Sequence, residues 1–371
     1  MSPRYAHITG WGMAVPEKRL TNEDLEKMVD TSDEWIVSRT GIRERRIASA
    51  DQSTATLAAE AAMRALGVAN LHPADLDLII VSTSSPEHIF PATACLVQDQ
   101  IGAVKAGAFD LLAACTGFIF ALNLAANMIK TDGISNALVI GSETLSRIVN
   151  WKDRNTCILF GDGAGAFVLQ ASDEPGGIYT GVMRSDGSGG DLLSLPGGGS
   201  KYPTCLQSVY DGLHYIHMNG REVFRFATRV MTDATQEAVA AANLTMDDIQ
   251  LIIPHQANRR IIEAAARGLD FPMDKVMINV DRYGNTSTAS IPIATCEAIE
   301  QGRLKAGDWT VFVGFGAGLT WGATLARWSG PFPVRRKLKP RRYRWLARLR
   351  SILARLRRHL EGLIWGRGKT A

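Results

Sequence analysis

Three short segments hold residues whose types and spacing could do chemistry: Asp110-Leu-Leu-Ala-Ala-Cys115-Thr-Gly-Phe118, Pro254-His255-Gln-Ala-Asn258 and Gly284-Asn285-Thr-Ser-Thr-Ala-Ser290. The first offers a thiol where an apolar run gives way to small residues. The others offer an imidazole and a carboxamide, each just after a strand-like run. A thiol can carry an acyl group, and two neutral hydrogen-bond partners can hold a thioester oxygen as it becomes an enolate. If the three meet in space, they suit an acyl transfer that forms a carbon–carbon bond. Each residue also has a plainer reading. Cys115 could be a buried structural cysteine, His255 a hydrogen-bonded structural histidine, and Asn285 a turn residue of Tyr283-Gly-Asn-Thr286.

The elements that position them read as alternating strands and helices. Leu76–Val81 (LDLIIV), Ala108–Leu112, Ala137–Ile140 and Gly165–Gln170 are short apolar runs of the kind that form buried strands. A helix of small residues is expected from about Cys115 to Lys130. Its N-terminus would favour a thiolate, since free N–H groups and the helix dipole attract negative charge. The second half repeats the plan. Asp248–Ile253 resembles Asp75–Ile80. Val276–Val280 with the helix Ala289–Glu300 resembles Ala108–Leu112 with its helix, and Trp309–Val313 resembles Ala137–Ile140. The pattern predicts a duplicated α/β domain. Cys115 and Asn285, 170 residues apart, then occupy equivalent turns that a pseudo-twofold axis brings together.

Ser185–Gly190 and Pro196–Ser200 are glycine-rich and read either as a surface connection or as a loop bordering a tunnel. Gly314-Phe-Gly-Ala-Gly-Leu-Thr-Trp-Gly322 lacks the Lys-Ser/Thr ending of a phosphate-binding loop. Its backbone N–H groups could complete an oxyanion hole beside Cys115.

The chain of 371 residues is 46% hydrophobic, enough for a large core. From Arg335 onward it holds fourteen Lys and Arg against one acid, Glu361, a net of about +13. The remaining 27 bases and 36 acids leave the body mildly acidic. Five scattered cysteines without a Cys-x-x-Cys pair argue against disulfides and against a zinc site, and for a reducing cytoplasm. No signal peptide and no membrane-spanning stretch is expected.

Taken with Thr31-Ser-Asp-Glu-Trp-Ile-Val-Ser-Arg-Thr-Gly-Ile-Arg-Glu-Arg45 and Phe160-Gly-Asp-Gly-Ala-Gly165, these segments make residues 5–328 resemble a β-ketoacyl-acyl-carrier-protein synthase III of the thiolase-like superfamily. The resemblance implies a five-layered αβαβα fold of two pseudo-twofold-related halves, 1–174 and 175–330, and a homodimer. It implies a decarboxylative condensation of an acyl-CoA, acetyl-CoA or another short one, with malonyl-acyl-carrier protein at the start of fatty-acid synthesis, without a cofactor. A related acyltransferase of specialised metabolism is the alternative.

By the same resemblance Cys115 carries the acyl group, and His255 and Asn285 polarise the malonyl thioester. Backbone N–H groups of Cys115 and Ala317 form the oxyanion hole. Trp35, Arg39 and Arg154 bind coenzyme A. Gln256, Ala257, Asn258, Arg259 and Arg260 meet the carrier protein, and Phe90 and Leu319 border the acyl pocket, Phe90 by reaching across the dimer. Two departures bear on the starter group: Arg221, where the family often has Asn, and Leu319, in place of a frequent Phe.

Beyond the family's usual end, Pro331, Pro333 and Pro340 read as a linker. Trp345, Leu346, Leu349, Ile352, Leu353, Leu356, Leu360, Leu363 and Ile364 then recur at helical spacing among arginines. Three readings of residues 331–371 stay open: attachment to an anionic membrane surface through 341–365, docking to a protein partner, and a neutral extension. Nothing in the body supports nucleic-acid binding.

Overall fold

The apolar runs pair into two sheets that share one layer of helices. The structure is a computed structural model that describes residues 4–332 and 340–364. In the first half the elements are β1 (Tyr5–Ala14), α1 (Asp33–Thr40), α2 (Thr54–Ala69), β2 (Leu78–Ser82), α3 (Thr93–Ile101), β3 (Gly107–Leu111), α4 (Gly117–Lys130), β4 (Asn136–Glu143) and β5 (Gly163–Ser172). In the second half they are β6 (Gly177–Ser185), α5 (Gly220–Ala240), β7 (Leu251–Pro254), α6 (Arg259–Gly268), α7 (Ser290–Glu300), β8 (Trp309–Gly316) and β9 (Thr320–Arg327), and α8 (Pro340–Ile364) follows.

The first sheet runs β1-β5-β4-β2-β3 and the second β7-β8-β9-β6. The segment expected as a strand over Val276–Val280 makes only one bridge, Val276 to Ile252. Its chain turns at once into a short helix, Val280–Tyr283. With that bridge counted as a fifth position, the two sheets have the same order. Strands β2 and β4 are buried along their length and parallel, because helices cover both faces.

Three cores separate the layers. One joins α2 and α3 to the first sheet, another joins α5 and α6 to the second, and the third lies around α4 and α7 between the sheets. In this central core Phe118 of α4 packs edge-on against Phe167 of β5, with ring centres 5.1 Å apart. Phe167 meets Phe312 of β8 at 5.8 Å. Such pairs add about 1 kcal/mol each to the burial of their area. They hold both sheets to the helices from which the chemical residues project.

Two polar clusters fix the segment before Asn285. The Glu297 carboxylate on α7 accepts both Arg282 guanidinium bonds (2.7 and 2.8 Å), the Tyr283 hydroxyl (2.7 Å) and the Asn279 amide (2.9 Å). Arg45 is fully buried. It donates to the carbonyls of Leu20 (3.1 Å) and Ile158 (2.7 Å) and to Asn22 Oδ1 (2.9 Å). Burial draws its guanidinium down to about 10. The Arg45 Cβ supports Gly161 and Gly284 from below.

Replacing Arg45 by Met leaves two carbonyls and Asn22 Oδ1 without donors. We expect Arg45→Met to lower unfolding stability by about 3 kcal/mol, read from chemical denaturation.

Candidate active site

Cys115 lies in a single 3-10 turn, Ala114–Thr116, that leads straight into α4. The equivalent turn of the second half, Ser287–Ala289, leads into α7. Both turns contain a residue other than glycine in the left-handed region, Ala114 at φ 45° and Ser287 at φ 48°. Each costs about 1–2 kcal/mol. Matching the two strained residues pairs Cys115 with Thr288, so Asn285 stands three positions earlier in its turn than the thiol does in its own.

Asn285 is stapled to the chain beside it. Its N–H donates to the Leu159 carbonyl at 2.8 Å, and its carbonyl accepts from the Gly161 N–H at 3.0 Å. Glycine is required at 284, where φ is 63° and a Cβ would lie 2.7 Å from the Leu159 oxygen. Asn285 Oδ1 accepts from the Ser287 N–H at 2.8 Å, which turns the amide NH2 toward the cavity.

His255 follows β7 and is 1% exposed. Its Nδ1 lies 2.7 Å from Ser290 Oγ, on the first turn of α7, and its Nε2 has no protein partner. Phe315 stands edge-on at 5.5 Å. Burial lowers the imidazole to about 3, so the ring is neutral near pH 7. In the tautomer whose Nδ1 accepts from the Ser290 hydroxyl, the ring proton sits on Nε2, aimed as a donor.

Cys115, His255 and Asn285 line one cavity of about 790 Å³. Trp35, Arg39, Arg221, Asn258 and Arg260 line its outer part. A second cavity of about 650 Å³ meets the first at Cys115, Phe160 and Leu193. Leu111, Leu112, Phe120, Leu145, Ile148 and Leu195 make its wall apolar, and Ala317 lines it together with Cys115. Ser185, Gly190, Leu193 and Ser194 also line it, so the first glycine-rich loop borders the cavity. The backbone of Gly316 sits so close to Cys115 that a Cβ would come within 2.8 Å of the Cys115 nitrogen. The thiol thus stands where a polar, cationic entrance meets an apolar chamber. That arrangement suits a thioester whose acyl chain passes the sulfur while its charged handle stays outside.

Burial pushes the Cys115 thiol up to about 12, opposed by a hydrogen bond from the Ser287 side chain. Desolvation therefore works against the thiolate expected from the helix N-terminus. The Ser287 hydroxyl also meets Glu143, and burial holds that carboxyl above the usual carboxylate range. Ser85 Oγ (2.6 Å), Thr83 Oγ1 and Thr288 Oγ1 (both 3.2 Å) and the Ser84 N–H (3.1 Å) surround the carboxyl. Glu143, Ser287, Ser290 and Phe315 have no role assigned by the sequence motifs. The second-half strand and turn match the first half's, and a search of both turns for hydroxyl and acidic neighbours would have found Ser287 and Ser290.

Other expected residues divide. Arg39 and Arg154 lie 6.0 and 5.3 Å from the Trp35 ring centre. Trp35 and Arg39 line the entrance, while Arg154 pairs with Asp30 at 3.3 Å and its neighbours Asp153 and Asn155 form the wall. Ala257, Asn258 and Arg260 also reach the entrance, with Arg260 over the Phe224 ring at 5.6 Å. Arg259 is exposed and pairs with Glu263 at 2.8 Å. Gln256 is a correction: it is 1% exposed. Its amide donates to the Pro254 and Met277 carbonyls and accepts from the Asn279 N–H, so it braces the chain and offers no docking surface.

Leu319 is a second correction. It packs against Gly189 in the core between α5 and the second sheet, behind the chamber wall formed by Ala317, Gly318 and Thr320. Phe90 is 83% exposed and lines neither cavity of its own chain. Arg221 stands at the entrance and charges it. Among the described residues no group of His, Cys, Asp and Glu could hold a metal ion.

The His255 shift has a consequence for stability. The folded state holds this ring unprotonated well below the ordinary histidine value of 6.5, whereas the unfolded chain protonates it near that value. Its contribution is intact above pH 6.5 and is lost as pH falls from there toward 3, by about 1.4 kcal/mol per pH unit. We expect His255→Gln to flatten the acid limb of the stability–pH curve by that slope, measured by denaturant melts from pH 7 to pH 4.

Known proteins resemble this chain in sequence and in fold. A family model described as 3-oxoacyl-[acyl-carrier-protein] synthase III matches residues 109–187, and one for the C-terminal part of the same family matches residues 239–328. A β-ketoacyl-[acyl-carrier-protein] synthase III of Caldanaerobacter subterraneus subsp. tengcongensis is 54% identical over 324 residues, 87% of this chain and 98% of the relative. One from Roseiflexus sp. is 52% identical over 325 residues, 88% and 99%. The crystal structure of 3-oxoacyl-[acyl-carrier-protein] synthase III from Aquifex aeolicus superposes with a TM-score of 0.82 at 48% identity, covering 87% of this chain and 100% of that one. The priming β-ketosynthase of the R1128 polyketide pathway gives 0.82 at 35% identity, covering 89% and 98%. Family models, sequence relatives and superposed structures agree: this chain belongs to the β-ketoacyl-acyl-carrier-protein synthase III family.

Proposed function

We propose that the protein condenses an acyl-CoA with malonyl-acyl-carrier protein, giving a 3-oxoacyl-carrier protein, coenzyme A and CO2, as the initiating step of fatty-acid synthesis. The observation that carries this reading is the position of Cys115 where the cationic entrance meets the apolar chamber, with His255 and Asn285 lining the same entrance cavity.

In the first half-reaction Cys115 Sγ attacks the acyl-CoA carbonyl. Backbone N–H groups of Cys115 and Ala317 hold the oxyanion, and the thiol proton goes to the departing coenzyme A sulfur. Trp35, with Arg39 and Arg154 beside its ring, receives the nucleotide end. The carrier protein then docks near Arg259 and Arg260 and sends its malonyl arm down the entrance. Loss of CO2 leaves an enolate, whose oxygen accepts from His255 Nε2–H and the Asn285 amide. The enolate carbon attacks the acyl-cysteine carbonyl, and collapse expels the Cys115 sulfur, which regains a proton. No external electron acceptor or cofactor enters the balance.

The finer parts of the reading are a division into halves 1–174 and 175–330 with an appended segment 331–371, a cytoplasmic homodimer, and peripheral contact with a membrane through 341–365. The dimer is supported by β3, an edge strand followed directly by Leu112, which is 77% exposed, and by Ile89 and Phe90, each 83% exposed. A partner's loop of this kind would cap the apolar chamber. One observation favours a second reading, a relative of specialised metabolism: the chamber's 650 Å³ has room for starters longer than acetyl.

Intact-mass analysis with a series of acyl-CoAs, then malonyl-carrier protein, tests the function. An adduct on Cys115 that disappears as 3-oxoacyl-carrier protein forms is the expected result. An adduct that persists favours the second reading, and no adduct with any acyl-CoA overturns both. We expect Cys115→Ala to abolish condensation yet still decarboxylate malonyl-carrier protein. His255→Ala should slow decarboxylation by about 10²–10³, the loss of one oxyanion donor.

A further inference from the structure

Helix α8 lies against the body along its small-residue side. Ala347 is buried, and its Cβ lies within 3.0 Å of where a Cβ on Gly102 would stand, at the C-terminus of α3. The Ser351 hydroxyl donates to Asp99 at 2.6 Å, and the Tyr343 ring meets His72 edge-on at 4.3 Å. Tyr343, Ala347, Ser351 and Ala354 follow at the spacing of one helix face.

At about 100° per residue the apolar side chains fall on the opposite face. Trp345 is 61% exposed, Leu349 41%, Ile352 53%, Leu353 56%, Leu356 54% and Leu360 56%. A helix of a water-facing surface normally buries such a stripe. Here the stripe points away from the body from Trp345 to Leu360, a length of about 23 Å.

Cations border the stripe on both sides. Arg348 and Arg355 lie along one edge, Arg350 and Arg357 along the other. Arg355 reaches Asp99 at 3.8 Å and Arg357 pairs with Glu361 at 2.7 Å, yet these two arginines stay 71% and 81% exposed. No helix among the described residues is long and apolar enough to cross a membrane.

We infer that α8 is a built-in membrane-surface site, whose partner is an anionic lipid bilayer. Its outward apolar stripe enters the boundary between headgroups and acyl chains, and the two arginine rows meet lipid phosphates. Charge complementarity selects this occupant. An apolar protein groove would cover the stripe equally well, but it gives no reason for cations along both edges, whereas an anionic surface attracts both rows. The small face keeps the helix on α3, so the whole enzyme is carried to the lipid surface. This site is independent of the chemistry at Cys115.

The test is flotation of the full chain with phosphatidylglycerol-containing vesicles and with pure phosphatidylcholine vesicles, at low and high salt. Binding to the anionic vesicles that weakens with salt is expected. Arg348→Gln with Arg350→Gln, one from each row, should weaken it roughly 30-fold. Ile352→Asp with Leu356→Asp should abolish it, with an unchanged melting temperature in solution as the control for folding. Equal binding to both vesicle types, or binding unaffected by the Asp pair, overturns the proposal. So does absence of binding, including the case in which the Asp pair lowers the oligomeric state in sedimentation, which would assign the stripe to a second copy of this chain. None of these readouts depends on condensation, so they stand apart from the acyl-adduct experiment.

Discussion

The site depends on one constraint: two sheets must share a single layer of helices. Because α4 and α7 are covered by sheets on both sides, their N-terminal turns have nowhere to go but the seam between the halves. The close approach is visible at Gly141 of β4, where a Cβ would fall within 2.1 Å of the Thr288 carbonyl. Thr288 Oγ1 donates to the Ser82 carbonyl of β2 at 2.9 Å, so a turn of the second half is bonded to a strand of the first. Phe118, Phe167 and Phe312 hold the same seam from within. Cys115, His255 and Asn285 inherit their proximity from this packing.

Burial is also what sets the electrostatics. The seam buries these groups, so it penalises every charge placed there. The imidazole is held neutral, the thiol is held protonated and the Glu143 carboxyl is raised, all in the direction that desolvation dictates. A neutral donor set is what a developing enolate needs, since its charge then forms next to fixed dipoles in a medium of low dielectric. The same desolvation acts against the thiolate. The Ser287 hydroxyl is the local group that opposes it, and it is held at an unfavourable φ of 48° by the turn. Strain, burial and hydrogen bonding are here parts of one arrangement.

The surface divides along different lines. The entrance carries Arg39, Arg221 and Arg260 on a body that is acidic in sum. The strongly basic tail helix stands elsewhere, docked on α3 by small residues with its apolar stripe turned outward. The helix was legible in the sequence from its spacing. Which side would face the body was not: the apolar side is the ordinary choice, and only the fit of Ala347 against Gly102 and of Ser351 against Asp99 reverses it. The linker over 333–339 lies outside the described residues.

Much of the fold was legible because periodicity and turn chemistry are local. The apolar runs became strands, the small-residue stretches became buried helices, and the repeat of strand, turn and helix disclosed the duplication. The exception is Val276–Val280, where β-branched composition pointed to a strand but the chain leaves the sheet after one bridge. The short helix that takes over carries Arg282 and Tyr283 to the buried Glu297 carboxylate, and that bonding outweighs local propensity. The sequence by itself determined which residue types were present for acyl chemistry and that they stood at strand ends and helix starts. Tertiary structure alone decided that Gln256 faces inward, that Leu319 lies behind the chamber wall, and that Glu143 and Ser287 stand at the thiol. Those outcomes turn on contacts between elements far apart in the chain, whose geometry is fixed only when the whole core closes.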